Sequence, residues 1–452
     1  MLTAMASPRR FPAPTRLLAA ALALTCSSVA LAGVAAADPA VPGVTPDAAK
    51  SLHTVTVTVP SPLRTAPFDT ARQLQVPAGW TASVWARVGG ARLAAWAPDG
   101  SLLVSDPGGG RVVALQPRST PTAPPRQTVL VSGLHNPHGL AFDGRVLYVA
   151  EGTQIDAYGY RATGLVNRRV VLGNLPEGGH GLKNVLVGAD HAVYVTVGSS
   201  GNTSAEDRTA NPERAAIYRI PPNGGPATVY AHGVRNGTGL ALAPDGAVWT
   251  AVNNRDQIGY PWHRDFDGDG SDDYGKVMRS YVNDHPAEEV ARLSPGRDLG
   301  WPYCNPDPDV SPGVPGTAYD YHRPPFVPDV QLNPNGTALD CGSLRPIEQT
   351  LPAHSAPLGF HFVTGSALPT NWRSGAVVAV HGSWNRTPPR APGVFFLPWN
   401  GTTLGGATAM VTGFQGPDGS RWGRPVDAVA GPDGALYVTD DQSGTVYRLA
   451  PA

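Results

Sequence analysis

The stretch Gly431-Pro-Asp-Gly-Ala-Leu-Tyr-Val-Thr-Asp440 is a tight turn, Pro432-Asp433-Gly434, running into a short strand of apolar and β-branched residues. The phrase recurs upstream as APDGSLLVSD at 97–106, FDGRVLYVAE at 142–151 and APDGAVWTAV at 243–252. Weaker copies are GADHAVYVTV at 188–197 and WRSGAVVAVH at 372–381. Aligned on the turn residue, the copies fall at Gly100, Gly144, His191, Gly246, Gly375 and Gly434, with steps of 44, 47, 55, 129 and 59 residues. A turn and a strand returning every roughly 40–50 residues is the signature of propeller blades. Six copies predict an all-β, six-bladed β-propeller, with one long loop insertion between the fourth and fifth blades inside the 129-residue step.

Composition agrees. Gly 53 and Pro 47 make up about 22% of the 452 residues, as many short strands and turns require. Beyond the first forty residues no long stretch keeps a 3.6-residue apolar period. A formal charge of −1 and the lack of any Lys/Arg-rich run argue against a nucleic-acid partner.

Residues 1–37 read as an export signal: Arg9, Arg10 and Arg16 precede the apolar run Leu17–Val29, and small residues at 30–32 or 35–37 suit cleavage. That run is short for a membrane anchor, so the mature chain is expected to be exported, secreted or in the cell envelope or periplasm, with no membrane span. Cys26 falls in the signal, leaving Cys304 and Cys341, which an oxidising compartment favours as a disulfide over a metal pair. Residues 38–73 are a linker or a ring-closing segment, and 74–452 form the propeller. The interval of about 253–352, rich in Asp, Pro, Gly and Tyr, reads as loops over one face, where propellers commonly bind ligands.

Polar residues gather where strands begin and end. His180, flanked by glycines, enters the third phrase, and Arg235-Asn236 stands at the equivalent corner of the fourth. Taken singly, these are equally well a loop histidine bonded to a carbonyl and an Asn-Gly turn. Arg92 and His138 hold similar positions in earlier blades, His381, Asn385 and Arg386 follow the fifth phrase, and Arg424 precedes the sixth. Together they would form a ring of cations suited to an anionic, carbonyl-rich ligand.

A separate signal lies in the insertion. Asp265, Asp267, Asp269, Ser271 and Asp273 occupy loop positions 1, 3, 5, 7 and 9, with Gly270 at 6, the spacing by which a tight loop wraps calcium. Lys276 stands where the closing Glu is usual, and a solvated acidic turn is the competing reading.

From residue 74 onward the chain resembles the soluble quinoprotein sugar dehydrogenases, the glucose/sorbosone dehydrogenase-like group that uses pyrroloquinoline quinone (PQQ). The resemblance rests on HGLKNVLVG at 180–188, GVRNGTGLAL at 233–242, AEEVARL at 287–293, HSAPLGF at 354–360, HGSWNR at 381–386 and GRPVDAVAGPDGALYVTDD at 423–441, in this order. It implies a six-bladed propeller in which His180 is the general base while hydride passes from a sugar carbon to the quinone. Arg235 and Asn236 would flank the quinone carbonyls. Arg92, His138, His381, Asn385, Arg386 and Arg424 would contact the cofactor. Asn253-Asn254-Arg255-Asp256 replaces the Gly-Pro segment by which the best-known branch holds a quinone-bound calcium, a departure shared with the sorbosone-like branch.

Three readings compete: a PQQ-dependent dehydrogenase of a sugar or related aldehyde, a calcium-dependent lactonase-like propeller hydrolase, and a non-catalytic carbohydrate- or protein-binding propeller. A hydrolase needs acidic ligands converging on the axis, whereas the candidates here are mostly His, Arg and Asn. Trp262, Tyr303 and Tyr319 are candidate sugar-stacking residues. No C-x-x-C-H haem site is present, so the sequence names no electron acceptor.

Overall fold

The repeated turn-and-strand phrases fold into six antiparallel sheets in a computed structural model of the chain, which describes residues 51–452 other than Ala162. Each phrase supplies the second strand of a blade, and all but the fifth also supply the turn that leads into it. The first blade runs Ala94–Trp96, Leu102–Asp106, Arg111–Gln116 and Arg126–Ser132, and the second runs Leu140–Asp143, Val146–Ala150, Ile155–Arg161 and Gly164–Leu172. The third comprises Val185–Val187, Val193–Val197, Ala216–Ile220 and Thr228–His232, with Arg297–Asp298 added in parallel at its edge. The fourth comprises Gly239–Leu242, Val248–Val252, Glu288–Arg292 and Gln349–Leu351. The fifth comprises Pro357–Phe362, Gly375–Val380, Gly393–Pro398 and Thr408–Val411. In the sixth, Pro425–Ala430, Leu436–Asp440 and Thr445–Pro451 are completed by Trp80–Arg87 from the start of the propeller. That pairing closes the ring.

The second strands Leu102–Asp106, Val193–Val197, Val248–Val252, Gly375–Val380 and Leu436–Asp440 are buried throughout. A strand covered on both faces reads as an unbroken apolar run, which is why the phrases stand out. Their side chains alternate between two interfaces. Leu102 and Val104 pack towards the sixth blade with Trp85 and Tyr437, while Leu103 packs towards the second with Leu147 and Val149. Six large apolar clusters fill the six blade-to-blade seams. The inner strands surround a central channel holding a cavity of about 490 Å3.

Three sequence expectations are adjusted. The phrase at 372–381 is aligned on Gly375, but Gly375 lies within a strand; the fifth blade turns at Gly365 (φ 80°), with Val363 N donating to Gly375 O. The interval 253–352 belongs inside the fourth blade rather than between the fourth and fifth, because Glu288–Arg292 and Gln349–Leu351 are that blade's own third and fourth strands. Ring closure falls to Trp80–Arg87. The preceding Leu52–Thr56 pairs instead with Gln73–Pro77, and Gln75 bridges to Thr412 of the fifth blade. The export signal at 1–37 lies outside the described residues. Cys304 and Cys341 are disulfide-bonded, tying the strand Cys304–Pro306 to the turn Cys341–Ser343. Among the described residues no helix is long and apolar enough to cross a membrane.

Candidate active site at the channel mouth

Inner and second strands are antiparallel, so residues entering the one and leaving the other meet at the same end of the channel. His180 stands there. Its loop is fixed by Arg214, a buried residue that donates to Glu177 O (2.9 Å), Gly178 O (2.7 Å), Gly198 O (3.1 Å) and Ser199 O (3.1 Å). Gly198 lets the His180 backbone lie against it, since a Cβ there would come within 2.5 Å of His180 O. The buried Ser199 hydroxyl donates to Gly201 O (2.8 Å) and so accepts from His180 Nδ1–H (2.8 Å). That assignment leaves Nε2 with the lone pair, and Nε2 has no partner among the described residues. Burial first, then the Arg235 charge, lowers the His180 pKa to about 4, so the imidazole is neutral at ordinary pH.

Arg235 is 3% exposed. It donates to Asn202 O (3.2 Å) and Oδ1 (3.0 Å), and to Asn253 O (3.1 Å) and Asn254 O (2.6 Å), while Asp256 Oδ2 lies 3.6 Å from Nη2. Its donors are thus turned largely into the protein, and it acts on a ligand chiefly through its field. Asn236 Oδ1 accepts from the Thr238 hydroxyl (3.0 Å), and its Nδ2 has no partner among the described residues. Asp256 also accepts from Asn385 Nδ2 (2.8 Å), whose own Oδ1 is buried without a partner.

Across the mouth, Asp441 accepts from Arg92 (2.7 Å) and His381 (2.9 Å). Burial opposes its ionisation, but His381 and Arg92 together hold its carboxyl down at about 2. Arg92 Nε donates to His138 Nε2 (3.2 Å), and His138 Nδ1–H donates to Lys183 O (3.1 Å). Burial and Arg92 keep His138 neutral, well below its usual pKa. Lys183 Nζ donates to Gly181 O (2.8 Å), one residue from His180, and Arg424 Nε donates to His381 O (2.9 Å). The contacts close on themselves: His180, Ser199, Arg235, Asp256, Asn385, the 381–385 segment, Asp441, Arg92, His138, Lys183 and back to His180.

Of the sequence candidates, His180, Arg92, His138, Arg235, His381, Asn385 and Arg424 join this ring and Asn236 borders it. Arg386 does not, because its guanidinium is taken by Asn283 O (3.1 Å), Pro388 O (2.8 Å) and Asp284 (3.2 Å). Ser199, Asn202, Arg214, Asp256 and Asp441 were missed. The available signal was a polar residue just past the second strand of nearly every blade, as in the Asp440-Asp441 ending of the sixth phrase. Trp262 packs against Gly313, and Tyr319 meets His285 edge-on at 5.8 Å, so both serve the loop layer. Trp384, inside the HGSWNR phrase, is 75% exposed beside Asn385.

In the acidic loop, Asp265, Asp267 and Asp269 bring ligand atoms within 4.8 Å of one another. Asp273 is turned away: it accepts from Phe266 N (2.7 Å) and Lys276 Nζ (2.8 Å), and Lys276 also donates to Ser271 (2.7 Å). The Lys276 ammonium therefore engages two of the five expected ligands.

The fold and site together define a six-bladed propeller whose channel mouth is lined by arginine and histidine. The chain belongs to the TrAA12-like family, whose pattern matches residues 74–452. It is 29% identical over 294 residues to a pyrroloquinoline quinone-dependent pyranose dehydrogenase of Coprinopsis cinerea, covering 56% of this chain and 37% of that protein. An uncharacterised Borreliella burgdorferi protein is 38% identical over 101 residues, 22% of this chain and 27% of that one. The chain therefore spans only 27–37% of these relatives. The PQQ domain of the Coprinopsis cinerea pyranose dehydrogenase, solved in its holo form, superposes with a TM-score of 0.70 at 22% identity, covering 88% of this chain and all of that one. A calcium structure of a Trichoderma reesei AA12 enzyme gives 0.69 at 20% identity, over 83% and 96%. At these identities the likeness is one of fold.

Proposed function

We propose that the chain is an exported quinoprotein oxidoreductase that oxidises a sugar or related aldehyde or alcohol, with PQQ as its cofactor and His180 as the general base. The observation that carries the reading is the His180 tautomer: Nδ1 is committed to Ser199, and the unpartnered Nε2 is held neutral beside a buried arginine. The mouth fits a polyanionic quinone. Arg92, Arg235 and Arg424 stand around it, while the carboxylates joined into the ring, Asp256 and Asp441, are each ion-paired to arginine. Asn385 Oδ1 is a buried acceptor without a donor.

Arg92 and Arg424 would hold the cofactor carboxylates, with Asn236 Nδ2 and the Arg235 field at its carbonyl side. His138 and His381, whose N–H groups are committed to Lys183 O and Asp441, would orient Arg92 and Asp441 rather than touch the cofactor. Bound PQQ supplies an acceptor for the hydride. The chain's part is to take the substrate hydroxyl proton at His180 Nε2 while Ser199 and Arg214 keep the ring from turning. Trp384 offers an exposed aromatic face on which a sugar can stack at the mouth. Among the described residues, the carboxylates joined into the mouth are tied to arginine, where a calcium hydrolase would need them free and converging on the axis.

Calcium in the acidic loop, bound by Asp265, Asp267 and Asp269 with Ser271 and Asp273 released from Lys276, would stiffen the loop layer. Reconstitution of the chain with PQQ tests the function directly. Saturable quinone binding followed by dye reduction with aldoses or aldehydes is expected; a chain that binds no PQQ rejects the proposal.

A further inference from the structure

Within the loop layer lies a buried cluster that the proposed reaction does not use. His285, Asp307 and Asp309 are 3%, 1% and 7% exposed, and one ligand atom from each lies within 4.8 Å of the others. His285 Nδ1–H donates to Tyr281 O (2.9 Å), which leaves Nε2 aimed at Asp309 Oδ1 (2.9 Å) and Asp307 Oδ1 (3.6 Å). The carboxylates are themselves oriented from outside. Asp309 Oδ2 accepts from Gly313 N (3.0 Å), and Asp307 Oδ1 accepts from Asp309 N (3.1 Å).

Two independent atoms are left over. Asp307 Oδ2 is buried with no partner, and so is the hydroxyl of Tyr281, a residue 1% exposed whose ring stacks on His285 at 4.0 Å. No arginine or lysine is ion-paired to either carboxylate among the described residues. Two carboxylates facing one imidazole in a buried site would carry up to two negative charges, which burial makes costly without compensation.

We propose that His285, Asp307 and Asp309 bind a divalent first-row cation of the Mn2+ or Zn2+ kind, separate from the acidic loop. One imidazole among oxygens suits such an ion better than calcium, whose ligands are oxygens alone. A ligating histidine that gives its other N–H to a carbonyl is the usual outer-shell arrangement, and His285 has it. The bound ion braces the turn at 278–284. That turn reaches the mouth through His354, whose Nε2 donates to Val282 O (2.5 Å) and whose Nδ1 lies 3.4 Å from Asp256 Oδ1.

The test uses the full chain with the exposed loop disabled by Asp265→Asn, Asp267→Asn and His263→Gln. The protein is stripped with chelator, reloaded with Mn2+ and desalted. Elemental analysis counts metal retained through stripping as occupancy. One retained ion per chain is expected, with 14N modulation from a coordinated imidazole in its electron-spin-echo spectrum. Adding Asp307→Asn should abolish both. If that addition prevents folding, the loop-disabled chain alone still decides. No retained ion, retained Mn2+ without nitrogen modulation, or metal (Mn2+ by its modulation, Zn2+ by its occupancy) that survives Asp307→Asn overturns the proposal; in the last case the metal sits elsewhere, and in the others His285 and Asp309 are a metal-free ion pair.

Discussion

The residue with most to do is His180, and its neighbours decide how. A base whose pKa is lowered to about 4 is unprotonated over the whole neutral range. Protonation removes the lone pair, so kcat/KM should stay level from about pH 8 to 5 and fall as pH drops through about 4; a loss centred near pH 6.5 would mean an unperturbed histidine. His180→Ala should lower kcat by about 10²–10⁴-fold with PQQ affinity little changed. Trp384→Ala should raise the sugar KM several-fold while leaving kcat nearly intact, since stacking at a rim adds about 0.5–1.5 kcal/mol; an unchanged KM removes it from substrate binding. His180 itself was legible because glycines frame it and a strand follows. Ser199 and Arg214 were not, since a serine after a strand and an arginine in a loop look the same whether they hold a histidine or face water.

At the scale of elements, the phrases told which strands exist wherever the turn residue must be left-handed. Gly100, Gly144, Gly246 and Gly434 have φ between 55° and 82°, and His191 takes 61° in the same role. The fifth blade was found by its strand but its turn was misplaced, because the turn lies ten positions earlier, at Gly365, and a strand glycine mimicked it. Glu288–Arg292 was hidden for another reason: its EEVAR pattern puts charge in a buried strand, where Glu288 accepts from Asn254 N (2.5 Å) and Ala356 N (3.1 Å) and burial raises its pKa to about 7.

Two predictions belong to the loop layer. The disulfide spans 37 residues, so Cys304→Ser with Cys341→Ser should destabilise by up to about 4 kcal/mol. A thermal or denaturant melt reads this, and an unchanged midpoint would show that the layer is held without it. Calcium should raise the melting temperature of the parent chain and leave Asp265→Asn/Asp267→Asn unmoved. A rise of equal size in both would place calcium elsewhere.

For the molecule as a whole, each blade buries its faces only against its neighbours, so cohesion depends on a closed circle. Removing Thr445–Pro451 strips Trp80–Arg87 of its partner and takes Val446 out of the seam that holds Trp85 and Tyr437. The shortened chain should show no cooperative melt and should bind hydrophobic dyes; a sharp transition near that of the parent would mean that five blades and a remnant suffice.

The same closure has a consequence in time. Trp80 pairs with Pro451, so the first strand of the propeller to be made needs the last. At synthesis rates of roughly 5–20 residues per second, Trp80–Arg87 waits on the order of twenty to seventy seconds for its partner, its edge open to any passing chain. The nascent protein is therefore an unclosed arc for nearly its whole birth, and its safe assembly rests on whatever escorts it during that wait.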